Sequence, residues 1–290
     1  MILFYHNRNQ RHHIRMIRNL YNSCPAKVKF NYPTQDFRRN TRINQKADLI
    51  VFAGIIRGEG NIFKWCRENN KRFLYLDHAY INRGYDFDVK YPEKEWMRIT
   101  DSAFCWDRWE DRPSDRWNKF FEETHGPLKP WLGNKEAQNV LILPPSLATQ
   151  YLFPDSTEWL NKTIRLIKRN TDRPFVIREK PLQPLLNNNN DVIDIVKHAN
   201  KPLEEDLDNA YCLITYNSAV AVQSIIRGIP TISYATGCAN HMSFNITEID
   251  NPPEPPRQAW LNQLVYHQFT TAEMIDGSVW HMLGISNENS

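Results

Sequence analysis

Short apolar runs alternate along this chain with amphipathic stretches, the rhythm of a sheet covered by helices. Residues 2–5 (ILFY) read as a buried strand. The helix predicted over 11–22 puts Ile14, Ile17 and Leu20 on one face and Arg11, Arg15 and Arg18 on another. Strands follow at 28–32 and 47–53, the second nearly all apolar, as a central parallel strand is. A helix over 61–69 and strands over 72–76 and 97–100 continue the series. Residues 101–135 break it: Trp106, Trp109, Trp117 and Trp131 sit among charges. That stretch reads as a partly helical connection at a domain boundary, with Trp106 and Trp117 in an inter-domain core.

A second rhythm starts with the strand 140–143, stopped by Pro144 and Pro145. Its elements are a helix over 157–169, a strand over 174–178, a polar loop at 187–190 and a helix over 191–198. A strand over 212–215, a helix over 219–226 and a strand over 229–233 complete it. Asn217 and Ser218 are cap-forming residues before that helix, and Arg227-Gly228 stops it. The prolines of 252–256 make a stiff surface linker, and 257–264 and 272–275 close the chain as helices. The expected architecture is α/β, with two Rossmann-like domains facing across a cleft. Residues 1–130 form the first and 131–290 the second, whose terminal helices pack back on the first.

At 290 residues, 41% hydrophobic and 24% charged, the chain is long enough for two cores of ordinary size. No apolar run approaches a membrane span of about 18 residues, and residues 1–13 read as a first strand rather than a signal peptide. Five scattered cysteines without a C-x-x-C argue against a disulfide framework and point to a reducing cytoplasm. The net charge of +3 hides an asymmetry. Residues 1–46 hold ten Lys or Arg against one acid, Asp36, and the rest of the chain is net acidic. Such a local excess attracts a polyanion, with double-stranded DNA the simplest candidate and a solvated face the plain alternative.

Ligands of α/β proteins bind at the C-terminal ends of parallel strands. In the first half those ends carry Gly54, Gly58 and Gly60 with Arg57 and Glu59 between them, and then Asp77-His78 flanked by Tyr75 and Tyr80. In the second half Arg178 and Lys180 follow one strand, Asn217 and Ser218 another, and Gly237 and His241 a third. A guanidinium, an ammonium and the amides of a helix start suit a diphosphate. The alternative is that Arg178 and Lys180 pair with Glu179 or surface acids. G-x-G-x-x-G and G-x-x-x-x-G-K-[ST] are both absent, which disfavours a nicotinamide dehydrogenase and a P-loop ATPase. There is no H-E-x-x-H or clustered Cys/His set for a protein-held metal.

The stretch 211–234 resembles the donor-binding segment of GT-B glycosyltransferases, in particular the T-x-N-S-T-x-x-x-E-A-L-x-x-G-x-P-V run of bacterial capsule and Kdo-type transferases. By that resemblance Thr215, Asn217 and Ser218 touch the donor phosphates, and Gly228 and Pro230 return the chain to the next strand. Where the pattern has an acid in the helix, Gln223 and Ser224 stand here, so ribose recognition departs from the family. The resemblance implies a nucleoside-diphosphate sugar as co-substrate, a UDP-sugar foremost, with magnesium compatible but unindicated. The donor set is then Arg178, Lys180, Thr215, Asn217, Ser218, Gln223, Gly237 and His241. Asp77 leads as the base that deprotonates the acceptor, followed by Glu59 and His78. The basic segment extends this to a hydroxymethylated base in DNA, as in bacteriophage DNA glucosyltransferases in a host cytoplasm. Arg11, Arg15, Arg18, Arg57 and Tyr80 would then line the acceptor. A capsule or cell-envelope saccharide is the rival acceptor, and a non-catalytic nucleic-acid-binding protein on the same scaffold the rival class.

Overall fold

The computed structural model describes residues 1–6, 10–25, 28–31, 46–55, 59–81, 95–106, 108–122, 126–133, 136–179, 202–234 and 237–285. Among them are ten strands: β1 Ile2–Tyr5, β2 Val28–Asn31, β3 Leu49–Ala53, β4 Phe73–His78, β5 Trp96–Asp101, β6 Asn139–Leu143, β7 Phe175–Ile177, β8 Ala210–Thr215, β9 Thr231–Ser233 and β10 Gln268–Thr270. The chain divides into two compact units. One comprises Met1–Trp106 with Tyr266–Ser290, and the other Asp107–Val265. The sequence reading sets its division at residue 130 instead. The predicted helix over 191–198 and the loop at 187–190 lie outside the described residues.

The first unit is a six-stranded sheet ordered β10-β5-β4-β3-β1-β2. Strands β1 to β4 pair in parallel, whereas β5 runs antiparallel to β4 and β10 antiparallel to β5. Side-chain alternation divides the sheet into two differently packed faces. One carries Phe4, Val51, Leu74 and Met97, covered by Met16, Ile17 and Leu20 of the helix Arg11–Ser23 and by Met274, Val279 and Trp280 of the closing helices. The other is an aromatic layer. Phe63 of the helix Glu59–Glu68 meets Phe73 edge-on at 5.3 Å, and Phe104 stacks on Tyr75 at 5.6 Å. The strand β10 escaped the sequence pattern because three residues between a loop and a helix carry no period. Phe269 on it is fully buried, and Thr270 caps the next helix by accepting from the Glu273 amide at 3.1 Å.

The second unit is a parallel sheet ordered β7-β6-β8-β9. Val140, Ile142, Cys212, Ile214 and Ile177 pack on Trp159, Leu160 and Ile167 of the helix Trp159–Asn170. The order places β6 and β8 centrally, and their nearly unbroken apolar runs fit strands buried on both faces. Trp106 belongs to the first unit, its amide donating to the Tyr80 hydroxyl at 2.9 Å, while Trp117 stacks on Phe121 at 5.9 Å in the second.

Trp280 has a fully buried ring, and its indole N–H donates to Leu20 O and Ser23 Oγ, each at 3.2 Å. Replacing it by alanine empties the largest side chain from that face. Trp280→Ala is expected to cost the first unit roughly 3–5 kcal/mol, read as a shift of its chemical-denaturation midpoint.

Candidate functional site

At the carboxyl ends of β6, β8 and β9 several small polar side chains converge. Thr215 is fully buried; its hydroxyl donates to Leu143 O at 3.0 Å and accepts from the Ser218 amide at 3.2 Å. It therefore ties β8 to β6 and shapes the turn after β8, a positioning role in place of the phosphate contact that the resemblance implied. Ser218 accepts from the Val220 amide at 3.2 Å, and the helix begins at Val220 with Ala219 as its cap. Asn217 thus stands outside the helix. Its Oδ1 accepts from the Thr149 hydroxyl at 3.1 Å, and Thr149 Oγ1 lies 3.1 Å from Ser146 Oγ. Ser146 caps the helix Leu147–Leu152 by accepting from the Thr149 amide at 3.2 Å.

Two atoms of this group are left over. Asn217 Nδ2 and Ser233 Oγ are enclosed, and among the described residues neither has a hydrogen-bond partner. Gly237 lies against both: a Cβ there would stand 3.0 Å from Ser233 Oγ, which would have to give by a few tenths of an ångström, and in ordinary contact with Asn217 Cα at 3.5 Å. An unmet buried donor costs about 1–3 kcal/mol, and an oxygen supplied by a ligand recovers that cost.

The other expected donor residues are placed less favourably. Arg178 follows β7, but its guanidinium donates to Asp206 at 2.6 Å, with the two side chains only 10% and 8% exposed. The free cationic clamp expected there is corrected to a buried ion pair, because the helix Leu203–Asp208 brings an acid under it. Lys180 lies outside the described residues. Gln223 is half-buried on the helix Val220–Ile226, about one turn beyond its start. His241 is exposed, and its ring meets Trp109 at 5.4 Å and 64°. A cavity of about 380 Å³ opens at the opposite edge of this sheet, where Ala210 and Tyr211 begin β8, and so lies away from the converging side chains.

In the first unit, Asp77 ends β4 in a tight arrangement. Its Oδ2 accepts from the Tyr75 hydroxyl at 2.6 Å and from Arg98 Nη2 at 2.8 Å, and its Oδ1 accepts from the His78 amide at 2.8 Å. Burial works to raise its pKa, but the Arg98 guanidinium, His78 and the two other hydrogen bonds outweigh it. The carboxyl is held well below the usual carboxylate range. A carboxylate stripped of basicity in this way is a poor proton acceptor, which counts against Asp77 as the leading base. Tyr80 is corrected too: it is fully buried with Arg98 5.1 Å over its ring, not presented for stacking. Glu59 is buried in the first turn of its helix. His78 is the exposed member of the three base candidates, its ring stacked on His12 at 6.1 Å and 15°.

The basic helix resolves into separate roles. Arg11 and Arg18 are exposed, whereas Arg15 is ion-paired with the buried Glu95, whose other oxygen accepts from Thr271 at 2.7 Å. Arg57 lies outside the described residues. His12 sits between these groups: Nε2 contacts Met97 Sδ at 3.4 Å and Nδ1 receives Arg15 Nη2 at 3.5 Å. Gly54, at φ 75°, admits the neighbouring His13 ring, whose Cε1 would lie 2.4 Å from any Cβ there.

Two α/β units of this kind make a GT-B-like fold, and the chain resembles bacterial capsule and Kdo-type glycosyltransferases of that fold. A solved KpsC of Thermosulfurimonas dismutans, described as a beta Kdo 2,4 transferase, matches 98% of this chain and 98% of its own with a TM-score of 0.56 at 10% identity. The beta Kdo 2,7 transferase of the same organism's KpsC matches 95% of this chain and 98% of its own, with a TM-score of 0.47 at 11% identity. No protein-family model matches the chain, and no curated protein matches it in sequence. The expected double-stranded DNA partner is corrected by this comparison, since the 0.56 match is to a sugar transferase described by a saccharide linkage and not to a DNA-modifying protein. The commitment of Arg15 to Glu95 removes part of the charge on which that partner rested. Among the described residues no helix is long and apolar enough to cross a membrane, and no group of three or more His, Cys, Asp or Glu is placed to hold a metal ion.

Burial, with the charges of His13, His78 and Arg15, pushes the His12 imidazole down to about 4 from 6.5. Glu95, 3.5 Å away, favours the protonated ring, but its charge is already met by Arg15 and Thr271 and desolvation wins. The unfolded chain therefore binds a proton that the folded one refuses between about 6.5 and about 4. Stability is fully present above the unfolded value and falls as pH drops through this window, by up to about 3 kcal/mol. Denaturation midpoints at pH 7 and pH 5 are expected to differ in the native chain and to converge in His12→Gln.

Proposed function

We propose that this protein is a glycosyltransferase that moves a sugar from a sugar nucleotide to a hydroxyl of a saccharide acceptor. The second unit binds the donor and the first supplies the acceptor's base. The observation that carries the reading is Asn217: an enclosed amide with an unmet donor, at the end of β8 in a GT-B-like fold, beside the Ser233 hydroxyl and the close approach of Gly237. Donors fixed in advance at this edge stabilise the charge that gathers on the phosphate as it leaves, without reorganising at the moment of reaction. Arg178 acts here through Asp206, fixing the end of β7, and is not itself the clamp.

The base is His78. An imidazole accepts a proton through a ring nitrogen, and this ring is exposed at the end of β4. It takes the acceptor proton as the acceptor oxygen bonds the anomeric carbon; the bond from that carbon to the phosphate oxygen breaks and its electron pair leaves with the nucleotide. Asp77 orients this residue through the His78 amide.

The test is product mass after incubation with nucleoside mono- and diphosphate sugars and a panel of saccharide acceptors. Asn217→Ala is expected to weaken nucleotide binding roughly 10- to 100-fold, the range for one hydrogen bond to a charged group. His78→Ala is expected to leave that binding intact and abolish transfer. No transfer from any donor in the panel, or unchanged nucleotide affinity in Asn217→Ala, would overturn the reading.

A further inference from the structure

The cavity at the amino-terminal end of β8 takes no part in the donor edge. It measures about 380 Å³ and lies within the second unit, with Lys129, Leu132, Leu207, Tyr211, Arg227 and Ile229 in its wall. Ligand pockets run from roughly 300 to 1,000 Å³, so this space suits a small molecule. The strand β8 leaves the cavity at Ala210 and ends at Thr215, which puts its whole length between the cavity and Asn217.

One wall is the segment 129–133, and it is pinned to the turn after the helix Val220–Ile226. The Lys129 amide donates to Ile226 O at 3.3 Å, and the Leu132 amide to Gly228 O at 2.8 Å. Arg257 donates from Nη1 to Ile225 O at 2.5 Å and from Nη2 to Lys129 O, so one buried guanidinium ties both segments together. Its Cζ lies 4.2 Å over the Trp131 ring, whose indole donates to Pro255 O at 3.1 Å. Gly228 makes the close approach possible: its φ is 77°, and a Cβ there would stand 2.0 Å from Pro130 O. The wall is therefore shaped before anything enters.

The charges of the cavity are unbalanced. Arg227 spends Nη1 on Asp208 at 2.8 Å, and the rest of its fork has no partner among the described residues. The Lys129 ammonium likewise meets no acid among them. Two cations and one acid leave the cavity net positive, beside the apolar side chains of Leu132, Leu207 and Ile229. A guanidinium edge and an ammonium together favour an oxyanion, and the apolar wall favours a body with an apolar face.

We infer that this cavity binds a small organic oxyanion of the sugar-acid or sugar-phosphate kind. Lys129 and Arg227 hold its charged group, and Leu132, Leu207 and Ile229 receive the C–H face of its ring. The carboxylate and the phosphate share this chemistry, and the experiment separates them. The site stands apart from the transferase reading, since none of these residues belongs to the donor or base set.

The experiment is titration calorimetry of the full chain with glucuronate, glucose 6-phosphate, glucose and inorganic phosphate. The native chain is expected to bind a sugar anion more tightly than either glucose or inorganic phosphate. Lys129→Ala is expected to lower that affinity about tenfold, the scale of one hydrogen bond to a charged group, and Lys129→Arg to restore most of it. The circular dichroism spectrum is expected to stay unchanged in both variants. Asn217→Ala is expected to bind the anion as the native chain does, which separates the cavity from the donor edge. Tighter binding of glucuronate assigns the cavity to a carboxylate, and tighter binding of glucose 6-phosphate to a phosphate. The inference is overturned if the native chain binds neither sugar anion, if glucose or inorganic phosphate binds as tightly, or if Lys129→Ala changes nothing. Equal weakening in Asn217→Ala overturns it too, by moving the ligand to the donor edge. Failure of the transferase reading shows separately, as absence of product from a chain whose anion binding still depends on Lys129.

Discussion

The guanidinium of Arg98 sits where the first unit has least freedom. It donates to Asp77 at 2.8 Å and to Cys105 Sγ at 3.3 Å, and lies 5.7 Å, 5.1 Å and 5.2 Å from the ring centres of Tyr75, Tyr80 and Phe104. A buried cation without such partners is costly, so Asp77 and the three aromatic rings are required together. That requirement has several consequences for the sheet. It locks β5 against β4 in antiparallel register, with Arg98 opposite Asp77. It takes Tyr80 and Tyr75 away from solvent, and it leaves His78 as the exposed polar residue at the end of β4.

The second unit is organised by weaker, neutral contacts. Hydroxyls of Ser146, Thr149 and Thr215 bond to one another's turns and to Asn217, and none of these groups carries a charge. The phosphate proposed to bind at this edge would meet oriented dipoles held in place before it arrives. Such an edge tolerates the withdrawal of Arg178 into its pair with Asp206, because that pair still fixes the strand end without presenting a free charge.

The sequence carried the repeating units well and their partners poorly. Runs such as 49–53 and 140–143 are apolar at every position or nearly so, and a strand buried on both faces has no other composition. Asn217, Ser218 and Gly237 stood out because strand-to-helix turns need residues of these types at fixed offsets. What the pattern could not hold was pairing across long separations. Arg98 lies 21 residues beyond Asp77 in a strand of mixed polarity, and Asp206 lies 28 residues beyond Arg178. Neither distance has a periodic signature, so both Asp77 and Arg178 read as free groups when each was already committed. The alternative gave Arg178 to Glu179 or a surface acid, and its partner is instead the buried Asp206. Trp109 was grouped with its neighbours as packing because four tryptophans in one stretch look alike until burial separates them.

The return of the chain from Val265 to β10 has a consequence for how the molecule is made. Its first unit is completed only by Phe269, Met274 and Trp280, which leave the ribosome after the whole of the second, whose residues run contiguously from Asp107 to Val265. During synthesis the later half can therefore reach its native contacts while the earlier half still exposes Phe4, Met16 and Leu20 on an unfinished face. The amino-terminal half is the one that waits, and the one that needs shielding from aggregation while it does.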